Sequence, residues 1–157
     1  MEKSLKGQVT IVTGVSRSQG IGASISRKIA PLGSHLFLTG WPEYDQNEHS
    51  DSELKRLLRE LRTAGSEVEW MPLDLTLPDS AVTLLEVGKY GITVNAVDPG
   101  PTDTGCMTQE TRQELLPRYS LGRLGKPEDA AQLVAFLISS EADWITGQTI
   151  RSRGGFY

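Results

Sequence analysis

The sequence predicts an α/β fold built on a doubly wound parallel sheet, and three observations point there. Short β-branched or apolar runs at residues 9–12, 35–39 and 68–75 alternate with stretches of helical spacing, the order that produces parallel strands with covering helices. A glycine cluster, Gly14 to Gly22, stands between the first strand and the first helix. A proline–glycine loop, Pro99 to Thr104, follows a later apolar run. Loops of both kinds belong at the carboxyl edge of such a sheet, where ligands bind.

Val9, Ile11 and Val12 lack helical spacing and suit a central strand covered on both faces. Gly14 breaks the run. Ile21, Ile25 and Ile29 then recur every four residues and form an apolar stripe for a helix beginning near Gly20. The glycines thereby lie at a helix N-terminus, where free backbone N–H groups and the helix dipole favour an anion and a missing Cβ admits a pyrophosphate. The plain alternative is a tight strand-to-helix turn without a ligand; the strand and helix on either side favour the nucleotide.

Thr13-Gly14, five intervening residues and Gly20-Ile21-Gly22 resemble the cofactor motif of the short-chain dehydrogenase/reductase family. The resemblance implies a Rossmann-type domain with Gly14, Ser16, Arg17, Gly20, Ile21 and Gly22 against the cofactor. Relatives usually have three residues between the first two glycines, so the turn here is roomier.

At 157 residues, 38% apolar and net charge −4, the chain is long enough for one domain with a real core, spanning residues 1–157. A pI near 5.2 gives no electrostatic footprint for nucleic acid or an anionic membrane, and neither is expected as a partner. Cys106 is the only cysteine, which excludes an intramolecular disulfide and a thiolate metal cluster and leaves a spectator thiol. His35 and His49 have no ligand spacing, and no metal is expected. The charged start, Met-Glu-Lys-Ser-Leu-Lys, and the lack of a long uncharged run lead us to expect a cytoplasmic protein.

His35 to Thr39 reads as the second strand. The residue ending this strand normally separates a ribose hydroxyl, held by an acid, from a ribose phosphate, held by a base. Gly40, Trp41 and Pro42 stand there instead. Glu43 or Asp45 can reach the hydroxyl, although both also read as a solvated acidic loop, and Arg17 can bind the phosphate. Arg17 tips the expectation to NADP, with NAD left open.

Asp51 or Ser52 can cap a helix whose apolar face is Leu54, Leu57, Leu58 and Leu61, and Gly65 ends it. Val68 to Leu75 reads as the third strand. The resemblance places Asp74 and Leu75 at the adenine, with Asp74 accepting a hydrogen bond from its amino group; a helix cap is the plain alternative. Pro78, Asp79 and Ser80 then open another helix.

Beyond Val87 the resemblance jumps. Residues 87–97 resemble a late family segment, a helix end followed by the sixth strand of a seven-stranded sheet. Pro99-Gly100-Pro101-Thr102-Asp103-Thr104 matches the Pro-Gly-x-x-x-Thr motif that holds the nicotinamide carboxamide in relatives. By that match Pro99, Gly100, Thr102 and Thr104 are cofactor contacts. Gln109 to Leu116 reads as a lid helix ended by Pro117, and Pro127 opens a helix with Ala131, Val134, Leu137 and Ile138 apolar. Trp144 to Ile150 resembles the last strand and Gly154-Gly155-Phe156 the C-terminal turn, with Arg153 where relatives commonly carry Asp, a change expected to bear on a subunit contact.

The middle of the family pattern is missing at about residues 86/87. There is no Asn-Asn-Ala-Gly strand and no serine followed by a Tyr-x-x-x-Lys helix. Hydride transfer to a carbonyl needs a general acid for the developing alkoxide, which that tyrosine supplies in relatives. Tyr119 is followed four residues on by Arg123, but through a glycine-containing loop. No catalytic residue is assigned on this basis.

Two accounts of the gap stay open, a true loss of the catalytic block or its omission from the sequence. A continuous chain has a compact solution, because the seventeen residues between Asp74 and Ile92 suffice for a crossover and permit a sheet ordered 3-2-1-4-5. The resemblance implies an NAD(P)(H)-dependent oxidoreductase acting on an alcohol or ketone and, for the intact pattern, a homo-oligomer. The alternative is a non-catalytic nucleotide-binding remnant, and a methyltransferase on a similar sheet is a distant third reading.

Overall fold

A computed structural model describes residues 5–41, 50–73 and 92–157. Its first layer is a parallel sheet of β1 (Val9–Val12), β2 (His35–Gly40) and β3 (Val68–Pro72), in the order β1-β2-β3. Val9 faces His35 across the first pair and Leu36 faces Val68 across the second. A further parallel pair joins β4 (Ala96–Asp98) to β5 (Thr149–Arg151), with Ala96 opposite Thr149.

The four helices described are α1 (Ile21–Ile29), α2 (Ser50–Thr63), α3 (Gln109–Leu115) and α4 (Pro127–Leu137). The face that α1 buries is Gly22, Ala23, Ser26 and Ile29, with Ile25 at its margin. α1 also packs against α4. In α2, Leu54, Leu57 and Leu61 are buried as their spacing predicts, and Gly65 takes a φ of +102° where the helix ends. The α2 helix already includes Ser50, so Asp51 and Ser52 lie within its span.

One core joins the first sheet to its helices. Val12, Leu36, Leu38 and Val68 point from the strands to Ala23, Ile29, Leu57 and Leu61. Hydroxyls bridge the strand entrances beneath it: Thr10 and Ser34 share a hydrogen bond of 2.7 Å, and Ser66 Oγ donates to the Ser34 carbonyl.

Five expectations change. The strand order 3-2-1-4-5 is not formed, since β4 pairs with β5 and, among the described strands, β1 pairs with β2 alone. Among the described strands β1 is accordingly at an edge, with Val9 70% and Ile11 47% exposed where the sequence predicts burial on both faces. Only Ala96–Asp98 of the run from Ile92 is strand, and β3 stops at Pro72. Trp144 precedes the last strand rather than opening it and is 99% exposed. The adenine residues Asp74 and Leu75, Glu43 and Asp45, His49 and the crossover helix lie outside the described residues.

Candidate functional site

The site grows from the turn between β1 and α1. Gly14 takes φ +72°, a left-handed conformation that costs a side-chain-bearing residue, and a Cβ placed there would meet nothing within 4 Å. The turn is therefore open toward solvent at Gly14. At Gly22 the constraint is contact: a Cβ would stand 2.9 Å from the Gly14 carbonyl oxygen and from Val15 Cγ2. Gly22 lets α1 dock on the turn, and Gly14 leaves room above it.

Gly20 is the N-cap of α1 and no side chain caps its first-turn amides. Those uncapped N–H groups and the positive end of the helix dipole suit an anion. A dinucleotide pyrophosphate fits this cradle, with the open face at Gly14 and the amides of Ile21 and Gly22 as the groups to hold it.

Ser16 has a different occupation. It is buried, its Oγ accepts a hydrogen bond from the Trp41 amide at 3.2 Å, and a Cβ on Gly40 would lie 2.7 Å from that oxygen. Ser16 thus ties the turn to the end of β2. Arg17 points elsewhere, donating from Nη1 to Cys106 Sγ at 3.0 Å. Cys106 was read as a spectator, and its contact with Arg17 spans 89 positions in sequence that no local pattern reveals.

The Pro99–Thr104 loop approaches the same turn from β4. Gly105, at φ +88°, is so close that a Cβ would stand 2.9 Å from Gln19 Oε1. Inside the loop, Thr102 Oγ1 donates to the Gly100 carbonyl at 3.2 Å, and Thr102 bridges to Gly125. Asp103 accepts from the Gly105 amide at 2.9 Å and from Arg112 Nε at 2.8 Å, which together hold its carboxyl below the usual range. The two motifs are thus brought together, and a cleft of about 690 Å³ lies alongside, lined by Gln19, Gly20, Thr104, Gly105, Arg112 and Lys126 among others.

Tyr119 is held in a structural role. It is 4% exposed, donates its hydroxyl to the Pro101 carbonyl and packs on Phe156 with ring centroids 5.0 Å apart. Burial raises its pKa. Arg123 turns to Asp129 instead, through bonds of 2.6 and 2.7 Å. Arg153, expected at a subunit contact, pairs with Asp98 inside the chain.

A family profile described as enoyl-(acyl carrier protein) reductase matches residues 81–157. The uncharacterized oxidoreductase YjdA of Bacillus subtilis is 59% identical over 71 residues, 45% of this chain and 28% of that protein. The 3-oxoacyl-(acyl-carrier-protein) reductase FabG of Pseudomonas aeruginosa is 49% identical over 76 residues, 46% of this chain and 30% of that protein. The chain spans less than a third of the length of these curated relatives.

Among solved structures, the angucycline C-6 ketoreductase LanV with bound NADP superposes with a TM-score of 0.76 at 19% identity, over 98% of this chain and 96% of that one. A hydroxysteroid dehydrogenase from Escherichia coli gives 0.75 at 18%, over 98% of both. These likenesses show a Rossmann-like fold, and the sequence matches carry the descent. The chain belongs to the short-chain dehydrogenase/reductase family, with homology to 3-oxoacyl-(acyl-carrier-protein) reductases over about half its length.

Proposed function

We propose that this chain is the dinucleotide-holding part of an NADP(H)-dependent oxidoreductase that interconverts an alcohol and a ketone. The observation that carries the reading is the uncapped α1 N-terminus with open space at Gly14, placed beside the Pro99–Thr104 loop. When bound, the cofactor supplies or accepts a hydride at its nicotinamide ring. The amides of Ile21 and Gly22 receive the pyrophosphate, Pro99, Gly100, Thr102 and Thr104 the nicotinamide end, and Asp74 and Leu75 the adenine. Arg17, a cation beside the turn, favours the 2′-phosphate of NADP, and the NADP bound to LanV agrees with that choice.

The 157 residues in hand bind cofactor without turning it over. Among the described residues, the spaced pair nearest to the family's acid cannot supply the proton that must accompany the hydride, because Tyr119 is committed to Pro101 and Arg123 to Asp129. A remnant that retains binding alone is the second reading, and the same two contacts favour it.

The test begins with the intact mass of the purified protein, where about 17.2 kDa denotes the chain as given. Calorimetric titration with NADPH and NADH follows, then turnover with a panel of ketones. At that mass we expect saturable binding, tighter for NADPH, and no turnover. Absence of saturable binding to either nucleotide overturns the reading, and ketone reduction at that mass overturns the assignment of Tyr119.

A further inference from the structure

We propose that Arg153 is a positioning residue which, through Asp98, sets the conformation of the Pro99–Thr104 loop and with it the affinity for the nicotinamide half of the cofactor. The proposal rests on the cofactor reading above and adds a residue to it from the far end of the chain.

Asp98 ends β4 and divides its carboxylate between two partners. Oδ1 accepts the Gly100 amide at 3.1 Å, which shapes the first turn of the loop, and Oδ2 accepts Arg153 Nη2. The backbone repeats the link, since the Ser152 amide donates to the Asp98 carbonyl at 2.9 Å. Gly100 itself is at φ +63°, and a Cβ there would lie 3.0 Å from Arg153 Cγ. The aliphatic stem of Arg153 therefore fills the space over Gly100 while its head holds the carboxylate that fixes the Gly100 amide. Arg153 Nε is buried without a hydrogen-bond partner, a cost the arrangement tolerates.

Arg153 and Asp98 each expose about a third of the side chain, 33% and 31%. Pairs of that kind add little to global stability. Removing one should consequently act on the local loop more than on the melting temperature. An amide at Gly100 whose acceptor can rotate away leaves the loop free to sample other turns.

The chain's single cysteine offers an independent readout, since Cys106 follows this loop and meets Arg17 of the glycine turn. We would titrate wild type, Arg153→Ala and Arg153→Lys with NADPH and with adenosine 2′,5′-bisphosphate, which lacks the nicotinamide, and time the reaction of Cys106 with an aromatic disulfide. Arg153→Ala should weaken NADPH about tenfold, leave the bisphosphate unchanged and accelerate the thiol reaction, with Arg153→Lys restoring both changes in part.

Equal weakening of the two nucleotides, or an unchanged thiol rate, overturns the proposal. Asp98→Asn, which removes the charge and keeps the shape, is expected to give the same split and serves if Arg153→Ala does not fold. Wild-type protein that binds neither nucleotide overturns the cofactor reading alone, and the thiol rate still decides whether Arg153 clamps the loop.

Discussion

Asp129 does two things with one carboxylate: it receives Arg123 at 2.6 Å and the Lys126 amide at 2.8 Å, at the start of α4. The Arg123 guanidinium holds its pKa at about 2, below the ordinary 3.8. The folded value is the lower one, so the stabilisation is present above pH 3.8 and is lost as pH falls through about 2. With 36% of the Asp129 side chain exposed, solvent screening keeps the contribution to about 1 kcal/mol or less. Asp129→Asn is expected to lower stability by that amount at pH 7 and by clearly less at pH 2, as urea titrations across that range would reveal. Tyr119→Phe removes the donor to Pro101 and should cost about 1 kcal/mol in the same assay. An unchanged stability would show that Pro101 finds another partner. Neither partner was legible in the sequence, although the glycine between Tyr119 and Arg123 already argues against pairing the two, and each side chain turns to a different neighbour.

The β1–turn–α1 unit separates two kinds of glycine. Gly14→Ala introduces strain at positive φ into open space, so the fold should lose about 1 kcal/mol while NADPH affinity falls further, the methyl group standing where the phosphate approaches. Gly22→Ala drives a methyl group against the Gly14 carbonyl, and here the fold should suffer most, by about 1–3 kcal/mol. Thermal melts paired with NADPH titrations of the two variants check the contrast; equal profiles would mean that Gly14 does not border the ligand. This unit was legible from the chain because its signals are local. Glycine marks the turn, and the apolar period marks the helix. The period caught only part of the buried face, however: Gly22, Ala23 and Ser26 are buried beside Ile29, while Ile21 and Ile25 are only partly covered. Arg17 with Cys106 and Asp98 with Arg153 lie 89 and 55 positions apart, beyond the reach of any pattern read along the chain.

Across the whole molecule the described strands fall into two parallel sheets with no hydrogen bond between them. Val9 and Ile11 are exposed on β1, and Met71 on the same side of the first sheet is 41% exposed. Apolar strand surface left open in this way promotes association. We expect concentration-dependent self-association in sedimentation velocity, reduced by Val9→Lys; a monodisperse monomer at high concentration would count against it. The fold class was legible because alternating strands and helices determine it. The strand order was not, because pairing depends on what lies next to β1, and the local run Val9 to Val12 is compatible with either a central or an edge position.

The glycine turn belongs to the first sheet and the Pro99–Thr104 loop extends from the second, so a molecule gripping both is a rivet between two plates. Without it the plates are joined by the seam of α1 on α4 and by light contacts such as Arg17 with Cys106. Heating the free protein should then part the plates in two overlapping steps. At a hundredfold excess of nucleotide over its dissociation constant, about 2.7 kcal/mol is added to the riveted state alone, and a calorimeter should record the two steps merging into one.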